Sequence, residues 1–351
     1  MVRWRSGTVL ALRRSWRGAS ELTVRTGDGE VRALAYPDLV GRPEVGDRVL
    51  LNVGALVMGL GTGGYALVVA IPDRLPPDPA DAGTDRDAGH LVKARYTPLQ
   101  PILLGVDEEA SPHRDTMVAA DSLDGMPVVT ADLHSALPAV LAGIHADRPA
   151  ARVAYVMLDG GALPAWFSRT LDGLAGTLAG TVTTGQSFGG TLEASTVHTG
   201  LLAARHVLGA DVAIVAQGPG NLGTGTPWGF SGVAVGEAIN AVAVLGGHPI
   251  GSVRFSSGDG RARHQGISHH SLTAYGKVAL APADLVLPAG LPATPPSLPP
   301  HRVVEVPTDG LEAALRASPV PLSTMGRSYD QDPWYFLAAA AAGRHAGTCI
   351  R

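Results

Sequence analysis

Chemistry concentrates in one stretch of this chain, Arg254 to Gly276, RFSSGDGRARHQGISHHSLTAYG. It holds Arg254, Arg261, Arg263, His264, His269 and His270, with Asp259 among them and Ser256, Ser257, Ser268, Ser271 and Thr273 around them. Imidazoles ionise near neutral pH and serve as acid, base or metal ligand, while guanidinium forks recognise carboxylate and phosphate. Gly258, Gly260 and Gly266 break the backbone into tight turns, and the apolar run Gly247 to Phe255 reads as a buried strand leading in. A Gly-rich loop bearing such groups off a buried strand has the form of a binding or catalytic loop.

Other residues are candidates to join it. Asp132 and His134 are two apart at the end of a strand-like run, so in extended geometry both side chains point the same way. With His264, His269 or His270, and with Asp159 or Asp259, they make a candidate site for Zn, Mn or Fe. The same imidazoles without metal suit acid/base work, and His264 to His269 matches no short metal signature. Ser135 and Ser187 are candidate nucleophiles. Gly185-Gln-Ser-Phe-Gly189 fits the G-x-S-x-G turn, and Asp259 with His264 or His269 meets its Ser, acid, His order loosely. Gly189, Gly190 and Thr191 equally suit an anion cradle before a helix, or a plain tight turn.

Asn221 and Thr224, after Gly218-Pro-Gly220, are candidate polar contacts to a ligand, and Trp228 offers a stacking face. Arg254, Arg261, Arg263 and Arg327 suit an anionic substrate, with charge pairing inside the fold as the competing account. Glu237, His198 and His206 read as ordinary helix residues.

The elements that must position these groups fall into a simple pattern. Residues 1–71 show short alternating runs separated by Gly, Asp and Pro, as in a small all-β barrel of the OB or SH3-like kind. Arg3, Arg5, Arg13, Arg14 and Arg17 with Trp4 and Trp16 there suggest oligonucleotide binding, against which a docking or structural barrel is the plainer reading. Gly59 to Gly64 reads as a tight hairpin, and residues 72–89 as a Pro- and Asp-rich linker. From 90 to 287, strand, glycine loop and helix repeat, which predicts a mostly parallel, Rossmann-like α/β sheet with helices on both faces. Helices are expected over Leu163 to Leu174 and, after the Gly185 loop, over Thr191 to Leu208. Every unusual motif follows a strand, so all belong at the C-terminal edge of the sheet, where ligands bind in such folds. A Pro-rich break at 288–300 precedes a C-terminal extension, 301–351, whose polar loop Ser323 to Asp332 is placed to close over that edge.

Composition narrows the function classes. A net charge of −4 gives no bulk attraction to nucleic acid, and the two lysines, Lys93 and Lys277, among 27 cations make arginine a matter of composition. No apolar run is long enough for a membrane span and no signal-peptide core follows the start, so a cytoplasmic location is expected. From the single Cys349 neither a disulfide framework nor a thiolate metal site is expected, and it reads as a spare terminal thiol.

Arg261-Ala-Arg-His-Gln-Gly-Ile-Ser-His-His270 resembles the motif of a bacterial family of unknown function. The resemblance extends over Gly41 to Asp47, Gly59 to Tyr65, Asp159 to Pro164, Gly218 through Glu237, and Met325-Gly-Arg327. It implies a free-standing bacterial protein of barrel plus α/β layout and brings no activity with it. The residues themselves favour a hydrolase or transferase acting on a small anionic ligand. A ligand-sensing or nucleic-acid-associated regulator and a scaffold are the alternatives, with a homo-oligomer left open.

Overall fold

The computed structural model describes residues 2–60, 63–77, 89–292 and 297–351. Parts of the Gly59–Gly64 hairpin reading and of both linker readings lie outside the described residues. The chain divides into two compact units, Met1–Leu104 with Trp166–Asp172, and Gly105–Ala165 with Gly173–Arg351. No helix among the described residues is long and apolar enough to cross a membrane.

The first unit is built on a closed barrel of five strands, β1 (Trp4–Trp16), β2 (Ala19–Thr26), β3 (Gly29–Ala35), β4 (Arg48–Asn52) and β5 (Ala66–Ala70), in the order β1-β2-β3-β5-β4. The expected all-β barrel is therefore present. Its pairs are antiparallel except β3 with β5, so the chain does not simply meander, and closure of β4 on β1 removes the free edges. Alternation turns Val9, Leu22, Val24, Val49, Leu51 and Val68 inward. Trp16 is buried and its indole donates to the Trp166 carbonyl at 2.7 Å, Arg5 pairs with Asp28, and Trp4 stays half exposed. One of the two aromatic faces proposed for stacking bases is thus committed to the core.

The second unit holds an eight-stranded, all-parallel sheet: β6 (Pro127–Thr130), β7 (Val153–Leu158), β8 (Gly180–Thr183), β9 (Leu192–Glu193), β10 (Val212–Gln217), β11 (His248–Ser252), β12 (Asp284–Pro288) and β13 (Arg302–Val306). Their spatial order is β9-β8-β7-β10-β6-β11-β12-β13. The central strands are buried along their whole length, as continuous Val/Ala/Ile runs covered on both faces should be. α2 (Val197–His206) and α3 (Ala234–Val244) pack through Leu201, Ala204, Ile239 and Val242 onto one face. α1 (Leu137–Asp147) and α4 (Pro333–Thr348) pack against each other and against the central strands. The α/β expectation holds, and the C-terminal extension proves part of it: β13 is the sheet's last strand, and α4 packs directly on the sheet.

α4 carries an uninterrupted run of alanines, Ala338 to Ala342, and the lack of side-chain bulk lets its backbone meet that of α1. A Cβ on Gly143 would lie 1.9 Å from the Ala340 oxygen, and one on Gly343 would lie 2.0 Å from the Val140 oxygen.

Two helix expectations need correction. The chain after Gly190 first adds β9, with Thr183 in register with Glu193, and α2 starts only at Val197, where the Thr196 hydroxyl accepts from Thr199 N–H at 3.2 Å. Leu163 to Leu174 is not one helix, because Pro164 bridges to Phe188 and the helical turns are confined to Ala165–Phe167 and Arg169–Leu174.

Candidate functional site

The candidate site forms where three neighbouring strands end. Asp132 follows β6, Gln217 closes β10 and Arg254 follows β11, on either side of the strand at which the sheet order reverses. Such a reversal opens a crevice between the departing loops.

Asp132 is the hub. It is 5% exposed, and its Oδ2 lies 3.3 Å from Arg254 Nη1 and 3.1 Å from His270 Nδ1. Burial alone would raise its carboxyl, but Arg254 and His270 outweigh that and hold it below the ordinary carboxylate value. Gln217 Nε2 donates to the Asp132 carbonyl at 2.7 Å and fixes the backbone from which the carboxylate projects. Arg254 is itself buried. Its Nη2 sits 3.5 Å from Asp259 Oδ2, and its Nε and Nη2 have no hydrogen-bond partner among the described residues.

An ionised carboxylate only accepts, so His270 donates from Nδ1 and turns Nε2 away from Asp132. The ring lies flat on Phe230, with centroids 3.7 Å apart and planes within 3°. Ser268 caps the short helix His269–Thr273; its Oγ accepts from His270 N–H at 3.2 Å and lies 2.8 Å from His264 Nδ1. His264 therefore also turns Nδ1 into the protein and leaves Nε2 for a ligand.

The three imidazoles converge. Centroids of His264, His269 and His270 are 4.5 to 5.0 Å apart, and one nitrogen from each lies within 4.8 Å of the others. His269 Nε2 is buried without a hydrogen-bond partner among the described residues. Burial, then the Arg254 and Arg261 charges, push His264 down to about 3. Burial, then His270 and Arg263, lower His269 as well. Neutral imidazoles with free lone pairs are what a metal ion or a general base requires.

A carboxylate–guanidinium lattice backs this trio. Asp259 takes the Arg261 fork at 2.9 and 2.7 Å and Arg327 Nη2 at 3.3 Å. The Arg261 hydrogen bonds, against the cost of burial, hold its carboxyl well below the usual range. Fully buried Asp332, at the start of α4, accepts from Ser256 Oγ at 2.6 Å and Arg327 Nε at 3.0 Å. The polar loop Ser323–Asp332 thus reaches the His/Arg segment through Arg327 and Asp332. Arg261 is committed to Asp259, whereas Arg263 is exposed beside the Gly225 backbone.

Several sequence candidates stand elsewhere. The chain bends at Asp132–Leu133 into a short turn of 3-10 helix, so His134 does not share the direction of Asp132. Its Nδ1 meets the Tyr155 hydroxyl at 3.0 Å, and burial pushes it down to about 4. Ser187 is fully buried and its hydroxyl donates to the Thr184 and Met157 carbonyls, at 2.7 and 3.0 Å. The loop leads to β9 rather than to a helix, so the strand–turn–helix setting of a nucleophile elbow is missing. The supposed anion cradle is filled from within: Gly189 N–H donates to Glu193 Oε1 at 2.7 Å and Gly190 N–H to Thr183 Oγ1 at 3.3 Å. Thr191 Oγ1 accepts from Thr181 N–H at 3.2 Å.

Ser135 bonds Tyr335 at 2.8 Å and Thr324 at 3.1 Å. Asp159 accepts from Gln186 N–H at 2.8 Å; Asn221 is shared by Gln217 and Ser231; Thr224 closes its loop on Gly229. Trp228 is exposed with Lys277 Nζ 5.6 Å from its ring, and Glu237 faces solvent on α3. Phe230, Gln217 and Asp332 were not among the candidates. Only Asp332 carried a sequence signal, an acidic residue directly before the proline that opens a helix. Cys349 is part-buried at the opposite, N-terminal edge of the sheet, with Sγ 3.9 Å from His345 Nε2. Burial would raise it, but the His248 and His345 imidazoles bring it down to about 6.

A family model described as "Protein of unknown function (DUF3866)" matches residues 32–343, and the chain belongs to that family. No curated protein matches it.

Proposed function

We propose that the C-terminal edge of the sheet is the centre of a metal-assisted hydrolase for a small anionic substrate, with His264, His269 and His270 holding a divalent ion of the zinc class. The observation that carries this reading is the mutual approach of three imidazole nitrogens within 4.8 Å, the buried His269 Nε2 having no other partner among the described residues. His264, His269 and His270 would hold such an ion, and its chemistry there would be Lewis-acid activation of water or a substrate oxygen.

The remaining roles belong to the chain. Asp132 fixes the tautomer and the rotation of His270 through Nδ1, and Arg254 keeps that carboxylate ionised. Phe230 covers one face of the His270 ring and excludes water from it. Arg254, Arg261, Arg263 and Arg327 stand against Asp132, Asp259 and Asp332, a cationic excess that favours an anion. Arg263, exposed and without a carboxylate partner among the described residues, is the guanidinium free to meet it.

The test is metal content by elemental mass spectrometry on chelator-free protein, beside hydrolysis of a panel of phosphate esters and carboxylate-bearing esters. The expected result is one equivalent of ion fewer in His269→Ala, with hydrolysis lost in that variant and in chelator. Equal metal content in the wild type and a His264→Ala/His269→Ala variant overturns the reading. Metal-independent hydrolysis that still needs Asp132 and His270 would instead make their dyad a general base, the reading their 3.1 Å contact favours next.

A further inference from the structure

At the N-terminal edge of the same sheet, residues distant in sequence meet. His248 opens β11, Asp284 opens β12, and His345 and Cys349 lie at the end of α4. His248 Nε2 and His345 Nε2 both reach Asp284 Oδ2, at 2.9 and 2.8 Å. Cys349 Sγ is 3.9 Å from His345 Nε2, and the ligand atoms of His248, His345 and Cys349 lie within 4.8 Å of one another.

We propose that His248, His345, Cys349 and Asp284 form a second, structural site for a divalent ion of the zinc class, which clamps the end of α4 to the sheet. The donor set is two nitrogens, one sulfur and one carboxylate oxygen, the mixture that tetrahedral zinc takes. Bonds of about 2.0–2.3 Å around a tetrahedral ion separate its ligands by roughly 3.3–3.6 Å, so small shifts bring in His248, His345 and Cys349, with Asp284 already against both imidazoles. A thiolate and a carboxylate offset a divalent cation, the imidazoles add none, and Arg302 beside Asp284 leaves the cluster one positive charge. Arg302 grips Asp284 at 2.8 and 2.6 Å and fixes the direction of the carboxylate. The four ligands come from two strands and a helix, so an ion here ties together elements whose order in the chain leaves them unconnected. His248 is the more open side, with 36% of its side chain exposed against 12% for His345, which gives an entry path. This site is independent of the proposed catalytic trio, from which it is separated by the length of β11.

The experiment uses the full chain in a His264→Ala/His269→Ala background, which removes two of the three ligands of the other candidate site. Cobalt(II) is added to metal-free protein and the thiolate-to-cobalt charge-transfer absorption is followed, beside thermal unfolding with and without zinc. One equivalent of cobalt with a thiolate band, and a zinc-dependent rise in midpoint, are expected. Both should disappear in Cys349→Ala and weaken strongly in His248→Gln, a milder change at a half-exposed position. No thiolate band together with an unchanged midpoint overturns the proposal, whatever the trio does. So does a zinc-dependent rise that survives Cys349→Ala.

Discussion

Asp132 Oδ2 stands 3.1 Å from His270 Nδ1 across 138 residues of sequence, and the same oxygen faces Arg254 Nη1 at 3.3 Å. One buried carboxylate therefore serves a cation and an imidazole together. Replacing it with Asn should leave the buried Arg254 charge with only the longer 3.5 Å contact to Asp259 as counter-ion, at a cost of up to about 3–5 kcal/mol. Asp132→Asn/Arg254→Met should recover part of that loss, because no uncompensated charge remains. Urea unfolding of the three proteins measures both effects. Equal stability of Asp132→Asn and wild type would show that the pair does not carry the crevice.

The crossing of α1 and α4 depends on two residues without side chains. Since a methyl on Gly143 or Gly343 would strike a carbonyl of the facing helix, Gly143→Ala and Gly343→Ala should each cost at least roughly 1–3 kcal/mol. Ala is otherwise the better helix former, so the sign itself is diagnostic. Gly176→Ala, where a Cβ meets nothing within 4 Å, should leave the midpoint almost unchanged. Thermal unfolding of the three variants decides the point.

Acid should destabilise the second unit before its carboxylates are neutralised. Burial brings His134 down to about 4 and His264 to about 3, both below the ordinary value of 6.5. Between those values and 6.5 the unfolded chain binds a proton that the folded one does not, so stability rises with pH through that window and is fully present above it. Each such group contributes a slope approaching about 1.4 kcal/mol per pH unit. His134→Gln, which keeps a polar partner for Tyr155 and cannot titrate, should flatten the dependence between pH 4 and 6.5 by up to one proton. Unfolding free energies of metal-free protein over that range give the slope; an unchanged slope would mean that His134 takes up its proton in the folded state.

The central strands were legible because they are short, mainly apolar runs, a pattern that depends on local sequence alone. The same pattern marked the right edge for Asp132 and Arg254. Side-chain direction was less accessible. One bend after β6 parts His134 from Asp132, and a two-residue strand where a helix was expected turns Glu193 back into the Gly189 loop. Such local turns are decided by pairing with distant strands. Cys349 shows the limit most plainly, since nothing near it in sequence foretells His248 or Asp284.

The strand order also bears on the timing of folding. β7, β8 and β9 pair with one another in the order in which they are made, but β6, the earliest strand of the sheet, finds its neighbours only in β10 and β11. During synthesis both its edges, and Asp132 beside them, must wait for chain that emerges much later. Such non-local closure is slow, and it exposes apolar strand edges meanwhile. Refolding of the second unit should accordingly be limited by capture of β6 between β10 and β11, the step that also brings Asp132 to Arg254 and His270.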